Sequence, residues 1–378
     1  MSVLQGKKVL LLVTAGIAAY KTASLVRLLV KKGVEVQVIM TPDAHHFITP
    51  LTLSTLSKNP VYTQFFDGHT GEWNNHVDLA LSADYLLIAP ATSNTLSKMA
   101  SAESDNLALA TYLSAKSPVF FAPAMDLDMY KNPGNQENIS KLQQKGDIFI
   151  PPNKGELASG LEGEGRMAEP EEIVSFMENF IKKGLFFYGK KVLITAGPTY
   201  ESIDPVRFIG NYSSGKMGFE LAKSAEKLGA DVTLIAGPTH EKLPSSSSIH
   251  RIDVVSAQEM YQQVFAYYSE TDIAIMSAAV ADYRPETVAE TKIKKNEDTF
   301  TIKLVKNEDI LFHMGQQKKN QFLLGFALET NNEEENALKK LKKKNLDAII
   351  LNSLQDKGAG FQSETNKITI FDKEGKKN

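Results

Sequence analysis

A loop near the middle of the chain concentrates residues that could hold a phosphate. A branched apolar run at 191–195 is broken by Ala196-Gly197-Pro198, so the backbone is expected to leave a sheet there and expose its amides. A helix start built from small residues follows at 213–215, and its unpaired N–H groups suit an anion. An ordinary turn explains the glycines but not the crowded polar side chains, which are Asp204, Arg207, Asn211, Ser213, Ser214 and Lys216.

The same loop contains part of a P-loop pattern, G-x-x-x-x-G-K, at residues 210–216. Met217 stands where a P-loop has the Ser or Thr that binds magnesium, and no apolar strand runs directly into Gly210. We therefore interpret this segment as a nucleotide site of another kind.

In the first half of the chain, small and hydroxyl residues follow two strand-like runs. The segment 14–21 (TAGIAAYK) follows the first run, and 89–94 (APATSN) ends another. Each signal is weak by itself, since neither contains G-x-G-x-x-G and no acid is placed for a ribose. Ligands bind at the carboxyl ends of strands in such sheets, so we expect both loops to converge on one pocket.

Two further residues of this half have side chains suited to acid–base chemistry. His76 follows a polar loop, although a lone histidine is more often structural or exposed than catalytic. Asp126 comes just after a strand-like run, where an acid can face a ligand. The segment 157–167 is too glycine-rich for a helix or a strand, so we predict a mobile loop that is either a linker or an active-site flap.

The second half adds small residues at 277–281, which permit a ligand to approach the backbone closely, and then a lysine cluster at 292–295. Lysine clusters usually cover a solvated surface. This one lies in a segment rich in Glu, Thr and Asp without a helical pattern, so a flexible phosphate-clamping loop is the competing interpretation. The lysine-rich runs at 339–344 and 376–377 are interpreted as solvated faces or a ragged end.

Strands and helices that must position these residues alternate along the chain, with helical patterns such as 18–32 between the strands. The continuous apolar strand candidates lie at 34–40, 85–89, 119–122, 148–150, 232–236, 273–277, 322–327 and 348–351. Both halves begin alike, with GKKVL ahead of VTAG or ITAG. The pattern indicates an α/β protein with two Rossmann-like doubly wound domains, joined near 183–188, each with a parallel sheet covered on both faces.

Composition limits the classes of function. The chain has 378 residues, which is enough for about two domains, and its net charge of −3 gives no reason to expect a nucleic acid or an acidic membrane as partner. No segment approaches the ~20 apolar residues of a membrane span and the N-terminus lacks a signal-peptide pattern, so we expect a cytoplasmic protein. The absence of cysteine excludes disulfides, cysteine-ligated metals and a thiol nucleophile.

Over nearly its whole length the chain resembles the bacterial bifunctional phosphopantothenoylcysteine decarboxylase/phosphopantothenate–cysteine ligase family of coenzyme A biosynthesis. The second half contains, in the family's order, ITAGPTYESIDPVRFIGNYSSGKMG, AAVADYRP, KIKK, LVKNEDIL and GFALETN. The first half resembles the flavodoxin-like, flavin-containing cysteine decarboxylases through GIAAYK, MTPDAHHFITPLTL, APATSNT, SDNLALATYL, PAMDLDMY and GEGRM. The resemblance implies an FMN-binding decarboxylase domain at 1–186 and a CTP-binding ligase domain at 187–378.

For the second half, the resemblance implies ligation of 4′-phosphopantothenate to cysteine with CTP and Mg²⁺ through an acyl cytidylate. Asn211 matches the residue that processes this intermediate, and Lys292 matches the lysine of a mobile loop. A cation at Lys292 would neutralise charge on the triphosphate while Asn211 donates to the acyl phosphate. The nucleotide-binding positions implied are Asp282, Lys292, Asn307, Asp309 and Phe326, and the metal ligands are not assigned beyond a position near Asp282.

For the first half, the resemblance implies FMN-dependent decarboxylation of phosphopantothenoylcysteine to 4′-phosphopantetheine, with His76 as the catalytic histidine. Two catalytic positions depart from the family, because Asp126 replaces an asparagine and Ser159 replaces the flap cysteine that donates a proton. A carboxylate at Asp126 would repel the substrate's carboxylate unless it is protonated or paired, and a serine hydroxyl is a far weaker acid than a thiol. The flavin-binding positions implied are Gly16, Ile17, Thr41, Thr92, Ser93, Asn94, Asn106 and Met125.

These departures leave alternatives open. Either Glu162 or Glu164 donates the proton, or the decarboxylase is slow and stalls at an enethiol. The protein could also be a ligase whose flavodomain is impaired or only assembles subunits, or a non-enzymic regulatory module that binds nucleotide or flavin. An NAD(P) dehydrogenase fits least, since the glycine fingerprint and its ribose-binding acid are both missing.

The partners that the resemblance implies are small-molecule substrates and further copies of the chain. It implies trimeric flavodomains and dimeric ligase domains, which together give dodecamers. It also implies a C-terminal helix after the strand-like run 367–371, so we expect this chain to be shortened.

Overall fold

The structure is a computed structural model, and it describes residues 2–68, 70–156, 160, 162–294, 300–329, 331–353 and 367–375. The chain divides into two compact units, residues 2–182 and 183–378. Each unit contains its own, mainly parallel, central sheet.

The first unit alternates strands and helices. Its strands are β1 (Lys8–Val13), β2 (Glu35–Met40), β3 (Val61–Tyr62), β4 (Tyr85–Ala91), β5 (Val119–Pro123), β6 (Ile148–Phe149), β7 (Asn153–Glu156) and β8 (Glu162–Arg166). Its helices are α1 (Thr22–Lys31), α2 (Pro50–Ser57), α3 (His76–Leu81), α4 (Ser93–Ser101), α5 (Leu107–Ser114), α6 (Leu127–Lys131), α7 (Pro133–Gln144) and α8 (Pro170–Lys183), with 3₁₀ helices at Ile17–Lys21 and Pro42–His46. The first six strands form one parallel sheet in the order β3-β2-β1-β4-β5-β6.

Both faces of this sheet are covered, which explains why its strands are apolar without interruption. Alternate residues of β1 belong to different buried clusters: Val9 and Leu11 pack on one face, and Leu10 and Leu12 pack on the other. This is the two-residue period of a strand between two layers of helices. The predicted helix at 18–32 is confirmed, with its first turn in the 3₁₀ form.

A flap hairpin, defined as β7 and β8, stands outside the sheet. The prediction that glycine excludes a strand from 157–167 was wrong, because Glu162–Arg166 pairs antiparallel with β7. Glycine is needed here for close packing: a Cβ at Gly163 would lie 2.5 Å from Leu127 Cδ1, and a Cβ at Gly165 would lie 2.3 Å from Met125 O. The glycines therefore let β8 lie against the chain around the start of α6.

The second unit repeats the pattern. Its strands are β9 (Lys191–Ala196), β10 (Tyr200–Ser202), β11 (Phe208–Gly210), β12 (Asp231–Ala236), β13 (His250–Asp253), β14 (Ile273–Met276), β15 (Tyr283–Pro285), β16 (Leu304–Lys306), β17 (Phe322–Glu329), β18 (Ala348–Ser353) and β19 (Ile368–Asp372). Its helices are α9 (Lys216–Lys227), α10 (Ala257–Tyr268), α11 (Ile310–Gln317) and α12 (Glu333–Lys343). The central sheet has the order β13-β12-β9-β14-β17-β18-β19, in which only β19 is antiparallel to its neighbour.

Two small hairpins lie beside the second sheet, β10 with β11 and β15 with β16. Gly210 ends β11, so it belongs to a hairpin and does not follow a strand of the central sheet. The backbone context of a P-loop is therefore missing, in agreement with the sequence interpretation.

The two sheets share one winding. In each, the chain first moves outward from the starting strand (β1 to β2, β9 to β12) and then crosses to its other side (β4, β14). The loops after β1 and β4, and those after β9 and β14, therefore border a crevice at the carboxyl edge of each sheet. The prediction of two Rossmann-like α/β domains is confirmed. None of the helices in the described part of the chain is both long enough and apolar enough to cross a membrane.

Candidate active sites

A cavity of about 800 Å³ lies at the carboxyl edge of the first sheet. Its walls come from the loops that follow β1, β2, β4 and β5, from α4 and the segment after it, and from β7 and β8. The structure brings together there nine of the residues assigned by resemblance, which are Gly16, Ile17, Thr41, Thr92, Ser93, Asn94, Asn106, Met125 and Asp126.

Short contacts join the loops after β1 and β4. Thr14 Oγ1 donates to Pro90 O at 2.6 Å, and Thr92 N donates to Thr14 Oγ1 at 3.3 Å. Gly16 permits this approach, since a Cβ there would lie 3.2 Å from Thr92 Cγ2. Thr41 Oγ1 is buried and has no hydrogen-bond partner among the described residues. An orphaned hydroxyl in the wall of a cavity fits a polar group of a ligand.

Asp126 places a carboxylate in the wall of this cavity. Its Oδ1 accepts a hydrogen bond from Leu127 N at 2.6 Å, where α6 begins. The residue before it is fixed to the flap hairpin, because Met125 N donates to Gly165 O at 3.0 Å. The loop that carries Asp126 is therefore held from both sides.

Lys21 ties the flap hairpin to the loop after β1. Its side chain is 6% exposed, and its Nζ donates to Met167 O and to the Glu169 carboxylate, both at 2.9 Å. Arg166, at the end of β8, donates to the same carboxylate at 2.9 Å. The hydrogen bond from Lys21, with the nearby charge of Arg166, holds the pKa of Glu169 below its ordinary value. Two of the cations in the cavity wall are thus engaged with an acid of the protein.

His76 lies outside this cavity. It begins α3, and its ring packs edge-on against Phe65 and Trp73, with ring centroids 6.1 Å and 6.4 Å apart. Its Nδ1 is buried without a hydrogen-bond partner in the described part of the chain. Trp73 is itself exposed, and so are the apolar side chains of Val77 and Leu81, which belong to α3 with His76. A single chain therefore does not bring His76 to the residues assigned to the flavin.

The acids of the flap hairpin lie on one face of it, because Glu156 pairs with Glu162 and Glu164 is two residues further along β8. They differ in their contacts. Glu164 pairs with Lys154 at 3.0 Å. Glu162 and Glu156 are both exposed, but Glu156 lines the cavity. Sequence reasoning missed Glu156, because its position depends on a hairpin that was predicted to be a loop. Ser159 lies outside the described residues.

The second candidate site is built on the loops after β9 and β14. Ala279 N donates to Gly197 O at 2.9 Å, and Ala281 N donates to Thr199 Oγ1 at 2.9 Å. Ser277 Oγ donates to Thr195 O at 2.6 Å. The small residues at 277–281 let these two loops meet backbone to backbone.

Three residues assigned by resemblance are attached to this same segment. Asn211 follows β11 directly, and its Nδ2 donates to Ala279 O at 3.0 Å. Asn307 N donates to Asp282 O at 2.9 Å, and Asn307 Nδ2 donates to Ala281 O at 2.8 Å. Asn211, Asp282 and Asn307 therefore lie together at the carboxyl edge of the second sheet.

Lys340 in α12, and Lys344 just after its end, contact the assigned residues Phe326 and Asp309. Lys340 Nζ donates to Phe326 O at 2.7 Å, and Lys344 forms an ion pair with Asp309 at 2.8 Å. Burial, helped by the charge of Lys344, lowers the pKa of Lys340. The interpretation of 339–344 as a solvated face was wrong for these two residues. Their spacing of one helical turn, which places them on one face, was the available signal.

Close packing of α11 against the end of α12 brings this group together. Asp309 caps α11 by accepting a hydrogen bond from Phe312 N at 3.0 Å. Gly315, in the same helix, meets the backbone of the residue that follows α12, because a Cβ there would lie 1.9 Å from Lys344 O. Asn345 Nδ2 also donates to Gly315 O at 2.9 Å.

The remaining predicted residue, Lys292, is exposed in the segment between β15 and β16. The end of its lysine cluster, Lys295, lies outside the described residues. Among the described residues, no three His, Asp or Glu side chains lie close enough together to hold a metal ion.

Family profiles match both units. Residues 2–182 match the Flavoprotein family, and residues 187–378 match the DNA/pantothenate metabolism flavoprotein C-terminal domain. The chain is 48% identical over 378 residues to the coenzyme A biosynthesis bifunctional protein CoaBC of Vibrio cholerae, covering 99% of this chain and 94% of that protein. The chain belongs to the family of coenzyme A biosynthesis bifunctional proteins. The resemblance recognised in its motifs is confirmed.

This member of the bifunctional family is also similar to a protein with a different name. It is 55% identical over 331 residues to a "Cysteine/Cysteine sulfinic acid decarboxylase" from an unknown prokaryotic organism, covering 86% of this chain and 92% of that protein. A crystal structure of the C-terminal domain of a coenzyme A biosynthesis bifunctional protein matches with 43% identity and a TM-score of 0.43, covering 51% of this chain and 86% of that one.

Proposed function

We propose that this protein catalyses two consecutive steps of coenzyme A biosynthesis. The ligase unit joins 4′-phosphopantothenate to cysteine at the expense of CTP, and the flavoprotein unit decarboxylates phosphopantothenoylcysteine to 4′-phosphopantetheine. The observation that carries the proposal is the 48% identity to the Vibrio cholerae bifunctional protein over 99% of the chain. The clusters of polar residues at the carboxyl edges of both sheets support it.

Activation of the carboxylate is the first task of the ligase unit, because an amine does not displace oxygen from a free carboxylate. In the proposed sequence, a carboxylate oxygen of 4′-phosphopantothenate attacks the α-phosphorus of CTP and pyrophosphate leaves. The amine of cysteine then attacks the acyl carbon, and CMP leaves. Asn211 would donate to the acyl phosphate, while Lys292 and Lys340 would balance charge on the triphosphate. Mg²⁺ would arrive with CTP and lie near the exposed Asp282.

Asn211→Asp tests this assignment. The change replaces the donor Nδ2 with a carboxylate oxygen that repels the acyl phosphate, so we expect the rate of ligation to fall by about 10²-fold or more. The measurement is pyrophosphate release from CTP, 4′-phosphopantothenate and cysteine. Asn59→Asp is the matched control, because Asn59 Nδ2 also donates to a backbone carbonyl, Val36 O at 2.8 Å, but in the other unit. Equal ligation rates in the two variants would remove Asn211 from the mechanism.

FMN is the cofactor that we propose for the cavity of the flavoprotein unit. The orphaned hydroxyl of Thr41 and the hydroxyl and amide side chains of Thr92, Ser93, Asn94 and Asn106 would hold it. When bound, FMN supplies reversible two-electron chemistry that makes loss of the substrate's carboxylate possible. The chain's own residues then have to orient the substrate, exclude water and deliver one proton to the carbon that loses carbon dioxide.

Glu156 is our candidate for the group that delivers this proton. It lines the cavity, whereas Glu164 is paired with Lys154 and Glu162 is not among the residues of the cavity wall. The alternative assignment, in which Glu162 or Glu164 donates the proton, stays a prediction. Carbon dioxide release from phosphopantothenoylcysteine tests both assignments.

Asp126 favours a second substrate class for the flavoprotein unit, an unacylated amino acid with a short sulfur-containing side chain. A carboxylate in the cavity attracts the ammonium group of a free amino acid, which phosphopantothenoylcysteine lacks because its nitrogen is acylated. The name of the relative that is 55% identical supports this class. Carbon dioxide release from phosphopantothenoylcysteine, cysteine and cysteine sulfinic acid should be compared in the wild type and in Asp126→Asn. The second candidate requires the variant to lose activity on the free amino acids selectively, and an unchanged ratio would exclude it.

Assembly would complete the flavin site. Because His76 lies outside the cavity of its own chain among exposed apolar side chains, we propose that a second copy brings its His76 to the cavity. Trimeric flavoprotein units, dimeric ligase units and a cytoplasmic location stay predictions. Sedimentation of the purified protein with FMN tests the assembly, and a monomer with full decarboxylase activity would contradict it.

A further inference from the structure

Asp204 has a buried carboxylate that the proposed chemistry does not use. Its side chain is 0% exposed, and it lies in the turn between β10 and β11. Asp204 Oδ1 accepts hydrogen bonds from Val206 N and Arg207 N, both at 2.8 Å. These two bonds close the turn of the hairpin and have a purely local role.

The other carboxylate oxygen of Asp204 contacts a residue that is far away along the sequence. Its Oδ2 accepts a hydrogen bond from Ile293 N at 3.2 Å and lies 3.3 Å from Arg207 Nη1. Arg207 Nη2 in turn donates to Ile293 O at 3.1 Å. The two side chains of the hairpin thus engage both the N–H and the C=O of one residue, and that residue lies between Lys292 and Lys294 in the chain.

The segment ahead of Lys292 makes a further hydrogen bond to the hairpin, because Ala289 N donates to Ile203 O at 3.0 Å. The hairpin that makes these contacts also leads directly into Asn211, and its strands are braced by the stacked rings of Tyr200 and Phe208, with centroids 3.8 Å apart. The segment that contains Lys292 is therefore attached to the β10–β11 hairpin, which leads into Asn211.

We propose that Asp204 and Arg207 are positioning residues that clamp the backbone of Ile293 and so set the direction from which Lys292 meets the nucleotide. The part of this proposal that concerns the nucleotide rests on the proposed ligase function, whereas the clamp itself does not. Burial alone would raise the pKa of Asp204, but the three backbone N–H groups and the charge of Arg207 hold it below its ordinary value. The carboxylate is therefore ionised and accepts all of these bonds at neutral pH.

Limited trypsin digestion tests the clamp without any assay of activity. In Asp204→Asn, the amide Nδ2 faces N–H donors in place of an acceptor oxygen, so cleavage after Lys292 and Lys294 should become faster by about fivefold or more. Asp272→Asn is the matched control, since Asp272 also accepts a backbone N–H, Lys191 N at 2.8 Å, and pairs with Lys190, but at the opposite edge of the sheet. Cleavage in Asp204→Asn at the wild-type rate would overturn the clamp.

A double-mutant cycle with Lys292→Gln tests the link to the nucleotide. We expect Asp204→Asn to weaken CTP affinity by about tenfold in the wild-type background and to have no further effect in the Lys292→Gln background. An equal effect in both backgrounds would overturn positioning through Lys292. If Asp204→Asn does not fold, Arg207→Gln decides both tests, because it removes the bond to Ile293 O and leaves the two turn bonds to Asp204 intact. A wild type that binds no CTP would count against the proposed function, whereas the digestion would still decide the clamp.

Discussion

Lys340 and Lys344 lie one helical turn apart in different surroundings. Lys344 is ion-paired with Asp309, whereas Lys340 donates to the carbonyl of Phe326. An ammonium group whose hydrogen bond goes to a neutral acceptor is the better placed of the two to meet an incoming phosphate, because it forms no salt bridge with any of the described residues that would have to break.

The lowered pKa of Lys340 predicts a pH dependence for CTP. Burial and Lys344 lower this pKa, while the carboxylates of Glu329, Asp309 and Asp282 partly offset them. The ammonium group attracts the triphosphate at pH values below the lowered pKa and loses its charge as pH rises through it. We therefore expect kcat/KM for CTP to fall on the alkaline side, at a lower pH than for an ordinary lysine.

Lys340→Met should abolish this alkaline fall and lower kcat/KM at neutral pH by about tenfold. Lys339→Met is the control, because Lys339 is exposed and paired with Glu335 on the same helix. An alkaline limb that persists in Lys340→Met would assign the titration to another group.

Glu156→Gln should slow decarboxylation by about 10²-fold, because the amide cannot deliver a proton. Glu164→Gln is the control within the same hairpin and should be close to the wild type. Carbon dioxide release from phosphopantothenoylcysteine measures both variants, with bound flavin checked by absorbance. If Glu164→Gln is the slow variant and Glu156→Gln is close to the wild type, Glu164 is the proton donor.

At the scale of elements, the flap hairpin depends on two glycines that leave space for the chain beneath it. Gly165 has φ of +137° and no room for a Cβ beside Met125 O. Gly165→Ala should therefore lift β8 away from the loop that carries Asp126, at a cost of about 1–3 kcal/mol. We expect the variant to retain less FMN and to keep its ligase activity.

Gly146→Ala is the control that separates the effect of a steric clash from the effect of backbone strain. Gly146 also has a positive φ, +99°, but no atom lies within 4 Å of its ideal Cβ position. Full FMN retention in Gly165→Ala, measured by flavin absorbance after gel filtration, would show that the flap does not control the cavity.

The same elements show how far sequence patterns reach. The central strands were predicted because burial on both faces makes them apolar throughout, as in β1 and β9. β8 was missed because its glycines serve a tertiary contact, with Leu127 and Met125, that no local pattern contains. Lys340 was misread although its spacing from Lys344 was a signal, because that spacing defines a helix face and only the packing of α12 on β17 shows which face is covered.

At the scale of the whole molecule, two compact units carry two separate candidate sites, each at the carboxyl edge of its own sheet. The two reactions should therefore fail separately. Lys292→Gln should abolish pyrophosphate release and leave decarboxylation of supplied phosphopantothenoylcysteine unchanged, with unchanged flavin absorbance. Loss of both activities in this variant would mean that the units depend on one another.

The structure gathers nine residues that the family resemblance had assigned into one cavity, because loops after neighbouring parallel strands meet at one edge. Their roles toward a flavin stay predictions. Sequence patterns could not show which cavity His76 would serve. We propose that a second copy of the chain brings it there, and contacts between copies depend on the shape of the surface. The sequence does not distinguish the exposed apolar side chains near His76 from buried ones, because their exposure follows from the fold.

The contact between Gly315 and the carbonyl of Lys344 limits how this sequence can vary. Gly315 is within a helix, where glycine is otherwise the poorest choice apart from proline, so local stability would favour almost any substitution. Each of them would push the end of α12 away and carry Lys340 and Lys344 with it. In a library of variants selected for growth, this glycine should therefore be as intolerant of replacement as the lysines themselves.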